Sequence, residues 1–214
     1  MSKNPSDWVD FSDYIGGVLG TTFSFLSFIF LLHSLKLQND ANKELRNEAK
    51  ANQKNEKFRH FESHFFNLLE AQRSSFDKFK FENNIQGVLT TCSGVEAVVE
   101  LENVLEVMRE LRFDDEDITD YLDEFDESEK IYNSIRIFNN ILKLITSKLS
   151  DANGFTADDR KSQIETLITF TEFSLLRLVL ISMQFMDLPS CDSIRANTEF
   201  INILEELGLE IDAY

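Results

Sequence analysis

Arginine and histidine side chains occur together in the segment 59–64, whose sequence is RHFESH. A histidine transfers protons near neutral pH, and a guanidinium stabilises the negative charge that develops on a phosphate during cleavage. Arg59 and His64 are therefore the candidate catalytic pair, and cleavage at a phosphate is the reaction that they would carry. The alternative is that both lie on the solvated face of a helix, opposite the phenylalanines of the same segment.

The Arg-x4-His spacing of Arg59 and His64 is similar to that of the helical ribonucleases called HEPN. The resemblance implies that the pair would act on the RNA phosphate and the 2′-hydroxyl from paired subunits. The sequence otherwise has no P-loop, no GxSxG and no cysteine close to a histidine. We therefore predict a protein that is not an enzyme, with the tethered ribonuclease as the alternative.

His60 and His64 have the i, i+4 spacing of paired metal ligands on one helix face. No third ligand is evident in the sequence except Glu62 or a distant carboxylate, and HExxH is absent. The sequence therefore predicts no metal and no other cofactor.

A run of 22 residues without Asp, Glu, Lys or Arg, from Tyr14 to Leu35, stands out in a chain that is 28% charged. About 20 apolar residues of α-helix cross the hydrocarbon core of a bilayer. The run therefore predicts a transmembrane helix at 14–36. A buried core helix and an interfacial helix are the alternatives.

The flanks of this run indicate a retained anchor. A signal peptide would have a basic start and a small-x-small cleavage site, whereas no A-x-A follows here. Basic residues set the orientation of a span, and upstream there is only Lys3. The downstream basic residues are Lys36, Lys43, Arg46, Lys50, Lys54, Lys57 and Arg59. The pattern predicts a single-pass membrane protein, with its N-terminus outside and its larger part cytoplasmic.

Small residues define one face of the predicted span. At 100° per residue, Gly16, Gly20, Ser27 and Ser34 fall within about 40° of one another. A GxxxG pair lets two helix backbones approach closely, and hydroxyls can bond across the contact. The expected partners are therefore membrane lipid and further copies of this chain. The hydroxyls of Thr21, Thr22 and Ser24 either line a polar path in the oligomer or bond back to their own helix.

Composition limits the remainder of the chain. A net charge of −17 argues against broad binding of nucleic acid, which needs a basic surface. Cys92 and Cys191 form no CxxC, which favours a reducing compartment and two small core residues. Seven glycines and two prolines in 214 residues favour an all-α fold.

We divide the chain into a short extracytoplasmic stub (1–13), the span (14–36), a polar stalk helix (37–57) and a cytoplasmic helical bundle (58–214). In the bundle, Phe58, Phe61, Phe65, Phe66, Leu68 and Leu69 are expected to face a core. A break is predicted at 87–94, and an acidic loop-helix edge at 114–129. Helices are predicted at 95–111, 128–149, 163–188 and 194–207, and Gly208 is placed at the last C-cap.

Two of these helices carry more detailed predictions. On 95–111 the apolar face is Val95, Val98, Val99, Leu101, Val104, Leu105, Met108 and Leu111. The apolar segment 163–188 is either a central bundle helix or a second span. Glu172 and Arg177 lie in its middle and are costly at a bilayer centre, which favours the bundle helix.

The first 70 residues resemble the phage abortive infection family (AbiC-like). The resemblance rests on three sets of residues: Ile15, Gly16, Gly17 and Gly20; then Ser34, Leu35 and Gln38; then Phe61, Glu62, Phe65, Phe66, Leu68 and Leu69. The later segments around 135–145 and 170–185 resemble the family's C-terminal helices more weakly. The chain departs from the family in the region 87–129, and it has no additional span before this one.

The resemblance implies antiphage defence by abortive infection, and with it a location in the bacterial inner membrane. Similar small membrane proteins accompany retron reverse transcriptases, so a basic partner such as a reverse transcriptase complex is expected for the acidic domain. The leading hypothesis is an effector that oligomerises and permeabilises the membrane when a partner releases it. The alternatives are the tethered ribonuclease and a non-toxic adaptor that recruits a defence complex.

Overall fold

The structure is a computed structural model that describes residues 5–85, 88–210 and 214. Residues 1–4 of the predicted stub, Lys3 among them, and Gly87 at the start of the predicted break lie outside the described residues. The helices are α1 Pro5–Phe76, α2 Val95–Glu110, α3 Asp115–Phe125, α4 Lys130–Lys148, α5 Ala157–Phe170, α6 Phe173–Phe185, α7 Pro189–Arg195 and α8 Thr198–Glu206. The strands are β1 Lys80–Ile85 and β2 Val88–Ser93. Helices account for most of the described residues, which confirms the all-α class.

Helix α1 contains both the predicted span and the predicted stalk. It is 72 residues long and begins at Pro5, where proline fits because the first helical N–H needs no partner in the helix. After Gly20 it contains neither glycine nor proline, so nothing in the sequence interrupts it. The chain divides into two compact units, Met1–Gln53 and Lys54–Tyr214, and the division falls within this helix.

The apolar part of α1 is not covered by protein. An 18-residue window of the helix has a mean hydropathy of 2.0, and none of that window is buried. The predicted alternative of a buried core helix does not agree with this exposure. Among the described residues, α1 is the one unbroken helix that is long and apolar enough to cross a membrane.

Lys54–Tyr214 has its own core, to which the last turns of α1 contribute. Phe61 and Phe65 are 2% and 0% exposed, as predicted. Phe66 was expected to face the core as well, but it is 50% exposed. Successive helical residues point about 100° apart, so adjacent phenylalanines do not enter one core together.

An antiparallel hairpin lies at the predicted break. Lys80 pairs with Ser93 and Phe81 with Cys92. Helix α1 already ends at Phe76, before the predicted break at 87–94, and neither strand was predicted. Gly94 closes the hairpin with a φ of 56° and donates its N–H to the Phe79 carbonyl at 2.8 Å, a conformation that glycine adopts without strain.

The next three helices agree with the predicted boundaries. In α2, the predicted apolar face is too wide: Val95, Val99 and Leu111 are 44%, 38% and 68% exposed. Four buried residues define the packed side of α2, namely Ala97, Val98, Leu101 and Leu105. The acidic helix α3 begins with a reciprocal capping box between Asp114 and Asp117.

The segment predicted as one helix over 163–188 is two helices. Helices α5 and α6 are bent by 110° at the break between them. β-Branched residues lower helix propensity at this point, because Thr169 and Thr171 crowd the preceding turn. Ten residues of α6 are buried by the surrounding protein. Helix α6 is therefore a central helix of the bundle.

The segment predicted as one helix over 194–207 is also two helices, α7 and α8. The Asn197 side chain caps α8 by accepting the Phe200 N–H at 3.1 Å, and a capping residue inside an apolar pattern starts a new helix. Gly208 follows α8 with a φ of 71°. The Leu209 N–H then reaches the Leu204 carbonyl at 2.9 Å, as expected of a glycine-terminated helix.

Candidate functional sites

The small-residue face of α1 consists of Gly16, Gly20, Ser27 and Ser34. All four are exposed on one continuous helix, so the predicted face exists as a surface. A Cβ built on Gly16 or Gly20 would meet nothing within 4 Å. The chain itself therefore leaves this face open for a second helix.

The hydroxyls near this face bond back to their own helix. Thr21 donates to the Gly17 carbonyl at 2.6 Å, Thr22 to Val18 at 2.7 Å and Ser24 to Gly20 at 2.8 Å. These bonds agree with the second possibility given above, that the hydroxyls bond to their own helix instead of lining a polar path. Ser27 and Ser34 make no hydrogen bond among the described residues, so their hydroxyls remain available to a neighbouring helix.

The family-motif residues fall into two groups. In the predicted span and just after it, Gly17, Leu35 and Gln38 are exposed, and Ile15 is partly buried. In the last turns of α1, Phe61 and Phe65 stack at 5.4 Å between ring centroids and lie in the core. Glu62, Leu68 and Leu69 are half-buried. The second group packs the last turns of α1 into the core of Lys54–Tyr214. The contacts of these residues indicate a packing role and not a chemical one.

The candidate catalytic pair does not share one site. Arg59 and His64 are both exposed and have no partner among the described residues. His60 and His64 line a cleft with Lys57 and Lys148, but Arg59 is not among its lining residues. In the described part of the chain, no three His, Cys, Asp or Glu side chains come together to hold a metal ion.

A polar network between α2 and α6 is a site that the sequence did not predict. Glu102 accepts the Tyr214 hydroxyl at 2.7 Å and pairs with the Arg177 guanidinium at 2.8 Å. The Glu102 side chain is 14% exposed and Arg177 is 28% exposed. An arginine inside an apolar helix was the available signal, because a buried charge needs a partner.

The main chain of Tyr214 is also fixed. Gln184 donates to its carbonyl at 2.9 Å and accepts its N–H at 3.2 Å, and Arg109 donates to the same carbonyl at 3.2 Å. Burial raises the pKa of the Tyr214 hydroxyl above its usual value, and the bond to Glu102 raises it further. The hydroxyl therefore stays protonated and remains a donor to Glu102.

Replacing Tyr214 with phenylalanine is expected to destabilise Lys54–Tyr214 by about 1–2 kcal/mol, because a hydrogen bond to a charged, mostly buried carboxylate is lost. Thermal unfolding of the full chain in detergent micelles measures the change. Tyr132→Phe is the matched control, since its hydroxyl has no partner among the described residues. Equal midpoints for the two variants would contradict the assigned role of the network.

Two buried polar groups near the bend between α5 and α6 have no hydrogen-bond partner within the described part of the chain. They are Gln72 Nε2 and Thr171 Oγ1. Both residues line a cavity of about 250 Å³. The cavity has room for ordered water, which commonly satisfies such groups.

The cysteines are both free. Cys191 lies in the core, where burial raises the pKa of its thiol to about 11. The thiol therefore stays protonated and unreactive. Cys92 is half-buried on β2.

No protein-family model, curated protein or solved structure matches this chain.

Proposed function

We propose that the protein is a membrane-anchored antiphage effector that acts by abortive infection. The observation that carries the proposal is the exposed apolar part of α1, on which Gly16 and Gly20 leave one face open to another helix. Copies of the chain associate through this face and permeabilise the membrane. The resemblance of the first 70 residues to the AbiC-like family supports the same function.

The membrane is the bacterial inner membrane, and the larger unit faces the cytoplasm. Basic residues from Lys36 to Arg59 follow the span, and such residues are retained on the cytoplasmic side. The free thiols of Cys92 and Cys191 agree with a reducing compartment.

In this proposal the domain restrains the span, alone or with a partner. The partner is a basic protein, such as a reverse transcriptase complex of a defence system. The acidic segment 114–129 supports this choice, because ten of its sixteen residues are Asp or Glu and α3 exposes most of them. Helix α3 has no basic residue in its last turn to offset this negative charge.

Expression of the chain in bacteria without its partner tests the proposal. We expect loss of membrane potential and entry of a membrane-impermeant dye, while total RNA stays intact. RNA cleavage before depolarisation, lost in Arg59→Ala or His64→Ala, would instead identify the tethered ribonuclease. Harmless expression at the same protein level would identify the adaptor.

A further inference from the structure

One cleft of Lys54–Tyr214 is lined by basic side chains and by no acid. It has a volume of about 310 Å³. Its lining residues are Lys57, His60, Phe61, His64, Lys148 and Asn153. The whole chain carries a net charge of −17, whereas every ionisable side chain among the lining residues of this cleft is basic.

Helix α1 supplies three of the basic side chains. Lys57, His60 and His64 follow a spacing of three and four residues, which places them on one side of the helix. Phe61 lies below them, is 2% exposed and stacks on Phe65. The packed phenylalanine holds this turn of α1 in place, so the three polar side chains share a fixed base.

The end of α4 supplies the fourth basic side chain without adding negative charge. Lys148 is the last residue of that helix, where free carbonyls would repel an anion. The Asn153 amide caps them by donating to the Ser147 and Lys148 carbonyls, both at 3.2 Å. Two of the carbonyls at the negative end of the helix dipole therefore already accept hydrogen bonds.

The basic side chains of the cleft lack acidic partners, unlike those nearby. Lys54 pairs with Asp159 at 3.4 Å, and Arg160 pairs with Asp151 at 2.8 Å. Lys57 has only a long contact, 3.5 Å, from its Nζ to the Asn153 carbonyl. His60, His64 and Lys148 have no side-chain partner among the described residues.

We propose that this cleft binds the phosphate group of a small ligand. Lysine ammonium groups attract phosphate as point charges, and a histidine ring donates an N–H in either protonation state. Pockets for small ligands typically have volumes of roughly 300–1,000 Å³, so the cleft accepts a phosphate with one attached group. The site goes beyond the membrane activity and involves no bond cleavage.

Calorimetric titration of the full chain, in nanodiscs of phosphatidylcholine, tests the site. The probes are inorganic phosphate, AMP and glycerol 3-phosphate, and the last two distinguish a nucleotide from a lipid headgroup as the source. We expect saturable binding of at least one probe. The double variant Lys57→Ala/Lys148→Ala should weaken it at least tenfold, and His60→Gln/His64→Gln should weaken it to a smaller extent.

Lys78→Ala is the matched control, because Lys78 is exposed, has no side-chain partner among the described residues and does not line the cleft. Unchanged affinity in this variant supports the site. The absence of saturable binding by all three probes would overturn the proposal, as would equal affinity in the cleft variants. Binding is measured without reference to toxicity, so failure here is distinguishable from failure of the proposed function.

Discussion

Replacing Gly16 and Gly20 together with leucine is expected to reduce dye entry to the level of cells without the protein. Nothing lies within 4 Å of a Cβ at either glycine, so the larger side chains fit the isolated helix. Leucine also favours membrane insertion and helix formation relative to glycine. The variant therefore remains inserted, and the loss reflects contact between helices. Dye uptake after induction, compared at equal membrane-bound protein, measures the effect.

A second pair of substitutions controls for added bulk. Gly17→Leu/Thr21→Leu places two leucines at the same spacing on a neighbouring face, about 100° away. This control should keep most of the dye entry. Undiminished dye entry in Gly16→Leu/Gly20→Leu would rule out association through the small-residue face. Equal loss in both pairs would show that the effect is not specific to that face.

The substitution Phe65→Ala is expected to release toxicity rather than remove it. Phe65 is 0% exposed, and truncating a buried phenylalanine costs about 3–5 kcal/mol. Domains are typically stable by about 5–15 kcal/mol, and a cost of this size raises the ratio of unfolded to folded protein by roughly 150- to 5,000-fold. If the domain restrains the span, depolarisation follows without a trigger. Membrane potential in cells that also express the partner is the measurement.

Phe170→Ala is the control for this prediction. Phe170 is 66% exposed, and surface substitutions usually change stability by only about 0.5 kcal/mol. Its toxicity should match that of the unmodified chain. Lower toxicity in Phe65→Ala, at equal inserted protein, would mean that the folded domain contributes to the damage, and the restraint model would then be wrong.

The helical class and the apolar helix were predictable because they depend on local composition. Two features of the sequence determine α1 directly. One is the 22-residue run without Asp, Glu, Lys or Arg, and the other is the absence of glycine and proline from residues 21–76. Helix α4 was predicted for a related reason. Its buried apolar residues recur with a helical period and are at most 1% exposed, among them Ile131, Ile135, Phe138, Leu142 and Ile145.

The errors arise where a chain changes direction inside an apolar pattern. The apolar period resumes after Thr171 and after Asn197, so periodicity alone joins α5 to α6 and α7 to α8. The hairpin was missed because each strand is only six residues long, and β1 (KFENNI) has just two apolar residues. The Glu102–Arg177–Tyr214 network joins residues far apart in sequence, and no local pattern reveals such a contact. The basic cleft was not predictable for the same reason, because it forms where Lys148 at the end of α4 lies beside α1.

The hydrogen bond between Glu102 and Tyr214 can form only late in synthesis, because the two residues are far apart in the chain. Their hydrogen bond joins residues 112 positions apart. Chains are synthesised at about 5–20 residues per second, so roughly 6–20 s pass between the two residues. The apolar part of α1 is made earlier still. If the span acts as proposed, newly made spans spend seconds beside the bilayer before the network between α2 and α6 is complete. Safe production then requires that spans associate more slowly than residues 102–214 are synthesised.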